Sequence, residues 1–207
     1  MRIPKHIGVI PDGNRRWAVE NGLEKKEGYQ KGLNPGLELY KLCKKLGVEE
    51  ITYYGFTVDN TKRPTEQRIS FTDACVEAVK LLSKEDAELL VLGNISSKMF
   101  PEELLPYTTR KTFGKGGMKI NFLVNYSWEW DMGFEKNDIM GPLKSKDVSR
   151  VDIVIRWGGR RRLSGFLPLQ SVYADFYFID DFWPDFQEKH LEDAVRWYNK
   201  QEISLGG

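Results

Sequence analysis

An apolar strand runs into a charged turn in Val9-Ile10-Pro11-Asp12-Gly13-Asn14-Arg15-Arg16-Trp17-Ala18, which holds one carboxylate and two arginines. Pro11 and Gly13 end the strand, and a helix beginning near Arg15 would direct its first free N–H groups toward the strand end. Such groups favour an anion such as a diphosphate. Asp12 could share a magnesium ion with phosphate oxygens, because Mg²⁺ prefers oxygen ligands. The Asp-Gly pair taken alone favours an ordinary solvated turn.

Length and composition narrow the classes of protein to which the chain can belong. Its 207 residues suit a single domain over 1–207, and 41% hydrophobic with 29% charged residues are typical of a soluble globular protein. The net charge of +1 argues against a general polyanion binder. A basic site must therefore be local, and nucleic acid is not an expected partner. Cys43 and Cys75 form no CxxC pair, which favours buried reduced thiols.

The N-terminal residues lack the apolar region of a signal peptide, and no apolar run approaches the ~20 residues of a membrane span. We therefore expect a cytoplasmic protein with at most peripheral membrane association.

Strand-like runs alternate with helical periodicity, which predicts an α/β fold with a mostly parallel central sheet. The predicted strands lie near 6–10, 50–56, 88–92, 118–124, 151–155 and 176–179, and the predicted helices near 30–46, 65–83, 101–112 and 187–202. The segment 133–150 is predicted to be a flexible connection. Polar loops follow four of the strands and should meet at one edge of the sheet, because ligands gather at the carboxyl ends of parallel strands. These loops are 12–16, 57–64, 125–131 and 156–164.

The loop 156–164 contains four arginines around two glycines and is the most concentrated positive charge in the chain. Glycines let the backbone approach a ligand, and guanidinium groups bind phosphate oxygens through paired hydrogen bonds. An RNA-binding loop would also use Arg and Trp, but no wider basic surface accompanies this one. We therefore predict a second phosphate site opposite the first.

The loop 57–64 offers Asn60 and Arg63, which could align a substrate and reach an anion. Taken alone, this segment favours an Asx turn that begins a helix near Pro64. The helix that follows presents an apolar face, which would be core or, beside two phosphate sites, the wall of a hydrocarbon pocket. That face comprises Ile69, Ala74, Val76, Val79, Leu81 and Leu82.

In order and spacing, these motifs resemble those of the cis-prenyltransferases, a family that includes undecaprenyl and dehydrodolichyl diphosphate synthases. The resemblance covers almost the whole chain. It rests on residues 6–18, Phe56, Asn60, 63–64, Asn121, 125–126, 130–131, Asp152, 155–156, 162–167, Gln170, 173–178 and 183–186. It implies a single domain with a mostly parallel six-stranded sheet, flanked by helices that form a hydrophobic tunnel, and usually a homodimer.

The resemblance also implies that the first loop binds an allylic prenyl diphosphate, whose diphosphate leaves with the help of Mg²⁺. The metal would be held by Asp12 and by Asp175, which matches an acidic residue of the family. Asp12, Asn14 and Asn60 are the implied catalytic residues, and Asn60 is assigned to positioning because an amide is a poor general base. The implied contacts of the allylic diphosphate are Gly13, Asn14, Arg15, Arg16, Trp17, Lys25, Tyr29 and Arg63.

The implied acceptor is isopentenyl diphosphate or another phosphorylated compound, held by Arg156, Arg162 and Ser164. Arg160 stands where many members carry glutamate, and Trp157 replaces a small hydroxyl residue. These two departures either reshape the acceptor pocket or reflect drift at the rim of a loop. Further departures are Lys25 for arginine, Tyr29 for histidine and Thr61 for tryptophan.

The segment 64–93 is shorter than in long-chain members by about one helical turn, ~5 Å of tunnel, and the connection 131–151 is also reduced. We therefore predict a short prenyl product, which could have an irregular linkage. The alternative is a non-catalytic subunit that supports an active homologue, against which the retained first-loop residues argue. Ser204-Leu205-Gly206 resembles a family tail motif that reaches the partner's acceptor site. Of the two histidines, His6 is predicted to be structural and His190 solvated.

Overall fold

The computed structural model describes residues 2–134 and 141–202. Its strands are β1 (His6–Ile10), β2 (Glu50–Tyr54), β3 (Ala87–Leu92), β4 (Lys111–Phe113), β5 (Met118–Leu123), β6 (Ile153–Arg156) and β7 (Asp175–Phe178). Its α-helices are α1 (Asn14–Glu20), α2 (Gly28–Lys31), α3 (Leu33–Leu46), α4 (Thr65–Leu82), α5 (Trp128–Asp131) and α6 (Glu188–Tyr198). Short 3₁₀ helices cover Val58–Lys62, Glu102–Tyr107 and Trp183–Asp185. The tail motif at 204–206 lies outside the described residues.

The described strands form one sheet in the order β4-β3-β5-β2-β1-β6-β7. Every neighbouring pair is parallel except β3 with β4. In register, Gly8 of β1 lies beside Thr52 of β2 on one side and Val154 of β6 on the other. The predicted mixed α/β fold with a mostly parallel sheet is confirmed, and the carboxyl ends of the six parallel strands share one edge.

The sheet has seven strands within the described ranges rather than the six predicted, because the prediction of a helix over 101–112 was wrong. Only a 3₁₀ helix forms there, with Pro106 inside it, and proline supplies no N–H to extend a helix. Residues 111–113 instead pair antiparallel with β3, after which Gly114 reverses the chain at φ 56°. This short strand covers the edge of β3.

Different elements cover the two faces of the sheet, since side chains alternate along each strand. Ile7, Ile51 and Phe122 point into a core shared with α3, α4 and α6. On the opposite face, Ile10 and Tyr54 pack under residues of the chain between 148 and 167. Part of the predicted flexible connection, 135–140, lies outside the described residues.

His6 and the two cysteines are buried in the structural roles that the sequence predicts. His6 is 1% exposed, and its Nε2 bonds to Thr52 Oγ1 at 2.8 Å while Nδ1 faces the carbonyl of Ser149, which is a structural role. Cys43 and Cys75 are buried free thiols, and burial raises the pKa of Cys75 to about 12. Within the described part of the chain, no helix combines the length and apolarity needed to cross a membrane.

Candidate active site

The turn after β1 holds Asp12 at the carboxyl edge of the sheet. Gly13 donates its N–H to Asp12 Oδ1 at 2.7 Å and has φ 105°, a left-handed conformation that favours glycine. A Cβ on Gly13 would lie only 2.5 Å from the ring of Phe182, so a side chain does not fit there. Trp183 donates its N–H to the Asp12 carbonyl at 3.0 Å, which fixes the turn from the other side.

Asp12 forms an ion pair with Arg156, which comes from the second basic loop. Arg156 Nη2 lies 2.8 Å from Asp12 Oδ2, and Arg16 Nη2 lies 3.5 Å from Oδ1. The side chain of Arg156 is only 5% exposed, whereas that of Asp12 is 33% exposed. The two basic loops are therefore parts of one site.

The second loop is folded tightly around Arg156. Arg156 Nη1 donates to Ser164 Oγ at 2.8 Å and also to the carbonyl of Arg162. Gly158 has φ 83°, and a Cβ there would lie 2.7 Å from Arg16 Nη2, which donates to the Gly158 carbonyl at 2.8 Å. Glycine at 158 thus lets the two loops approach each other.

These loops surround a cavity of about 690 Å³. Three acidic side chains also line it: Asp12, Glu20 and Asp59. The basic side chains that line it are Arg15, Arg16, Lys25, Arg63, Arg156, Arg160 and Arg162. This excess of positive charge, with guanidinium groups on several sides, suits a ligand carrying phosphate groups.

In the loop after β2, Asn60 both forms a turn and lies at the site, the two roles that the sequence left open. Asn60 Oδ1 accepts the N–H of Thr57 at 3.0 Å and so closes the turn that begins the 3₁₀ helix, yet the residue also lines the cavity. Arg63 Nη1 donates to Tyr29 Oη at 2.9 Å, and its guanidinium lies 5.2 Å from the ring centroid of Phe71. Burial raises the pKa of Tyr29, so its phenol stays neutral at physiological pH.

An apolar channel of about 80 Å³ adjoins the charged cavity and runs between α3, α4 and the sheet. The residues that line both spaces are Pro11, Asn14, Tyr29, Gly55 and Phe71. At this junction Asn14 donates from Nδ2 to the Pro11 carbonyl at 2.9 Å, while its Oδ1 is buried without a partner in the described structure. A ligand with a charged head and an apolar tail fits this pair of spaces.

The structure brings together nearly all of the residues predicted for the site. The cavity is lined by Asp12, Gly13, Asn14, Arg15, Arg16, Lys25, Tyr29, Asn60, Arg63, Arg156, Arg162 and Ser164. Trp17 lies apart from them, because its indole N–H donates to Asp185 Oδ1 at 2.7 Å.

Asp175 also lies apart from this cluster within the single chain, and its place at a metal with Asp12 stays a prediction. It is the first residue of β7 and pairs with Ile153, three positions before Arg156 on β6. Three strand residues span about 10 Å, so Asp175 is toward the amino edge of the sheet. Burial raises its pKa, and Arg2 opposes that shift.

Of the two interpretations that the sequence left open for Trp157, the structure does not favour a direct place in the acceptor pocket. Trp157 is 0% exposed and packs edge-to-face on Trp183 at 4.8 Å, and its Nε1 donates to His190 Nδ1 at 3.2 Å. The alternation of β6 continues by one residue, so Trp157 points to the same face as Ile155. His190 is likewise not solvated, because its side chain is 12% exposed and contacts Asp181. Arg160 does line the cavity.

Tyr54 and Phe71 also belong to the site, although they were not predicted from the sequence. Tyr54 ends β2 and lines the charged cavity, and strand alternation from Glu50 and Thr52 could have indicated its direction. Phe71 begins a helical row with Ala74, Cys75 and Ala78 that lines the channel, a spacing visible in the sequence.

Comparison with known proteins places this geometry in a family. The family model described as undecaprenyl diphosphate synthase matches residues 10–206. A ditrans,polycis-undecaprenyl-diphosphate synthase, (2E,6E)-farnesyl-diphosphate specific, from Aliivibrio fischeri is 32% identical, over 99% of this chain and 89% of the relative. An isoprenyl transferase of Neisseria meningitidis serogroup B is 33% identical, over 99% of this chain and 90% of the relative.

A solved structure shares the fold. Lavandulyl diphosphate synthase from Lavandula x intermedia, in complex with dimethylallyl diphosphate, superposes with a TM-score of 0.82 over 99% of both chains, at 24% identity. Together with the family match and the relatives, this identifies the chain as a cis-prenyl diphosphate synthase type of prenyltransferase, a member of the undecaprenyl diphosphate synthase family.

Proposed function

We propose that this prenyltransferase ionises an allylic prenyl diphosphate in the presence of Mg²⁺ and joins the prenyl group to a second phosphorylated substrate, such as isopentenyl diphosphate. One observation carries the proposal: a cavity rich in arginine opens directly onto an apolar channel, with Asp12 near the junction. The cavity suits the diphosphate groups of two substrates, and the channel suits a hydrocarbon chain. Relatives named for prenyl diphosphate synthesis support the same reaction class.

The donor half of the reaction is assigned to the first loop. Arg15, Arg16, Lys25 and Arg63 would bind the allylic diphosphate, and the prenyl tail would pass Tyr29 into the channel. Fixed positive groups around the leaving diphosphate stabilise the charge that develops as the carbon–oxygen bond breaks. Asn14 Oδ1 is buried at the junction without a hydrogen-bond partner, so it could accept a hydrogen bond from a donor that a substrate brings into the site.

The donor set around Asp12 suits magnesium. Among residues 2–134 and 141–202, no group of three or more His, Cys, Asp or Glu side chains could hold a metal. Mg²⁺ is commonly bound by one or two carboxylates together with substrate phosphates and water, so Asp12 alone is an adequate protein ligand. When bound, the metal would neutralise charge on the departing diphosphate.

The acceptor half is assigned to Arg156, Arg162 and Ser164. These residues line the side of the cavity opposite the first loop, and Arg156 donates to the hydroxyl of Ser164. Arg160 adds a positive charge to this half. That charge suits an acceptor with a diphosphate group, including a second allylic diphosphate as well as isopentenyl diphosphate.

The volume of the channel favours a short product. At about 80 Å³ it is narrow, and its lining extends along α4 from Phe71 to Leu82. Eleven residues of helix span about 16 Å, which limits the length of chain that can be covered. We therefore propose that the enzyme adds one or a few isoprene units.

The experiment that tests the function uses the purified protein with Mg²⁺. Dimethylallyl, geranyl or farnesyl diphosphate is supplied with and without isopentenyl diphosphate, and products are identified by mass spectrometry. We expect a short prenyl product, and product formed without isopentenyl diphosphate would indicate an irregular linkage. A ladder of ten or more units would overturn the short product, and no turnover with any pair would overturn the substrate assignment.

Replacing Asp12 tests its assigned role in the same assay. Asp12→Asn keeps the shape of the side chain but removes its charge, and we expect turnover to fall by about 10³-fold while the protein remains folded. The control is Asp73→Asn, on the exposed side of α4, which should turn over like the wild type. Wild-type turnover by the Asp12→Asn variant would contradict the role of this carboxylate.

A further inference from the structure

Tyr54 makes a contact with the acceptor loop that no catalytic assignment uses. It ends β2, is 9% exposed and lines the charged cavity. Its phenolic O–H donates to the carbonyl of Ser164 at 2.7 Å. The hydrogen bond joins a central strand of the sheet to the residue whose hydroxyl meets Arg156.

Ser164 needs such a contact because of its backbone conformation. Its φ is 56°, and Gly165 follows at 78°, so two successive residues are in the left-handed region. A non-glycine residue in this region is held by its surroundings rather than by its own preference. The turn places Ser164 Oγ 2.8 Å from Arg156 Nη1.

A backbone bond from Phe166 N–H to the Leu163 carbonyl at 3.2 Å closes this turn, and Arg156 adds two side-chain bonds, to Ser164 Oγ and to the carbonyl of Arg162. Both use guanidinium N–H groups that a bound diphosphate would also attract. The bond from Tyr54 uses no phosphate-binding side chain. It can therefore persist when Arg156 turns toward an anion.

The ring of Tyr54 is itself fixed on both sides. It contacts Phe166 edge-to-face at 5.4 Å and Tyr126 at 6.3 Å, and the hydroxyl of Tyr126 donates to the buried carboxylate of Asp131 at 2.7 Å. Burial raises the pKa of Tyr54, so the phenol remains a hydrogen-bond donor at neutral pH. A rigid donor of this kind can fix the position of the acceptor loop.

We propose that Tyr54 is a positioning residue, which holds the turn at Ser164 so that Arg156, Arg162 and Ser164 are arranged to receive the diphosphate of the acceptor. The assignment of an acceptor rests on the proposed function, but the restraint on the turn does not. The order of the turn and the kinetics of the reaction can therefore be measured independently.

The test compares Tyr54→Phe with Tyr40→Phe. Tyr40 is also buried, and its hydroxyl donates to the carbonyl of Asp86 at 2.9 Å, remote from the cavity, so the control loses a bond of the same kind. Hydrogen exchange followed by mass spectrometry should show exchange in the peptide covering 163–167 accelerated about fivefold in Tyr54→Phe and unchanged in Tyr40→Phe. Unchanged exchange in Tyr54→Phe would overturn the restraint.

The kinetic measurement separates positioning from general stability. In Tyr54→Phe we expect KM for isopentenyl diphosphate to rise about fivefold, with KM for the allylic diphosphate unchanged and kcat within about twofold. Equal changes in both KM values, or changes matched by Tyr40→Phe, would overturn a role specific to the acceptor. If the wild type turns over no prenyl diphosphate pair, the proposed function fails, and the exchange experiment alone decides the role of Tyr54.

Discussion

At the scale of single residues, the contact between Asp12 and Arg156 has the largest consequence. The carboxylate proposed to bind magnesium is paired with an arginine proposed to bind the acceptor, at 2.8 Å. A metal ion and the guanidinium are both positive and compete for the same oxygens. A diphosphate that draws Arg156 away should therefore make Asp12 available, which couples metal and acceptor binding.

This competition predicts that removing the guanidinium exposes Asp12 to metal. In Arg156→Met we expect Mn²⁺, used as a spectroscopic substitute for Mg²⁺, to bind about tenfold more tightly without any phosphate compound. That gain is about 1.4 kcal/mol, less than the ~4 kcal/mol of a close ion pair at a dielectric of 20, because Asp12 is partly exposed. Electron paramagnetic resonance of free Mn²⁺ measures this affinity. Arg162→Met removes an equal charge from the same cavity, and its affinity for Mn²⁺ should rise less. An equal rise would show that the effect comes from the overall charge of the cavity.

Trp157 carries the second prediction at this scale. Because the ring is fully buried against Trp183, Phe186 and His190, Trp157→Thr should leave a cavity and lower the free energy of unfolding by about 3–5 kcal/mol. Urea unfolding measures the loss. Trp128, which is 39% exposed, is the control, and Trp128→Thr should cost much less. A changed KM for the acceptor with unchanged stability would favour the alternative in which Trp157 shapes the acceptor pocket.

These residues also show how far the sequence alone leads. Asp12 and Arg156 are 144 positions apart, yet both follow parallel strands, so the sequence predicted that they share an edge. It did not predict their ion pair, which depends on side-chain conformations in two loops. The place of Trp157 stayed open for another reason: it lies one residue past β6, where the loop composition obscured the continuing alternation.

At the scale of elements, segments with an apolar or periodic pattern were predicted well, and β4, which has no such pattern, was not predicted. The apolar pattern of α4 gave a helix at 65–83, and the structure has it at 65–82. The three residues of β4 have no hydrophobic pattern of their own and become a strand only because β3 offers an unpaired edge. Helix α4 matters most for function, since one of its faces lines the apolar channel.

The channel face of α4 predicts control of product length. Leu81 lies toward the end of the helix remote from the charged cavity, and Leu81→Ala should lengthen the channel and shift the product by about one isoprene unit. Mass spectrometry of products from fixed substrate concentrations checks the shift. Leu104→Ala removes a buried leucine outside the channel, so it should cost about 2–5 kcal/mol of stability without changing product length. Identical products from all three proteins would show that Leu81 does not set the limit.

At the scale of the whole molecule, the outer surface beyond β6 indicates how two chains could associate. Leu169, Val172 and Tyr173 are 48%, 63% and 54% exposed, and they lie close together in the segment that leads from the acceptor loop into β7. Neighbouring exposed apolar side chains are typical of an interaction surface. We propose that the homodimer predicted from the family resemblance uses these side chains as its interface.

A homodimer of this kind predicts a specific response to one charge. The wild type should have about twice the 24.0 kDa mass of one chain by light scattering, and Val172→Asp should shift it to the monomer, because a carboxylate in an apolar interface loses its hydration without a partner. Ile95→Asp places the same charge on a side chain that is 55% exposed elsewhere and should remain dimeric. If the interface supports the acceptor loop, the monomer should show a raised KM for isopentenyl diphosphate and an unchanged KM for the allylic diphosphate. A dimer that survives Val172→Asp would show that the chains associate through another surface. A monomeric wild type would contradict the homodimer.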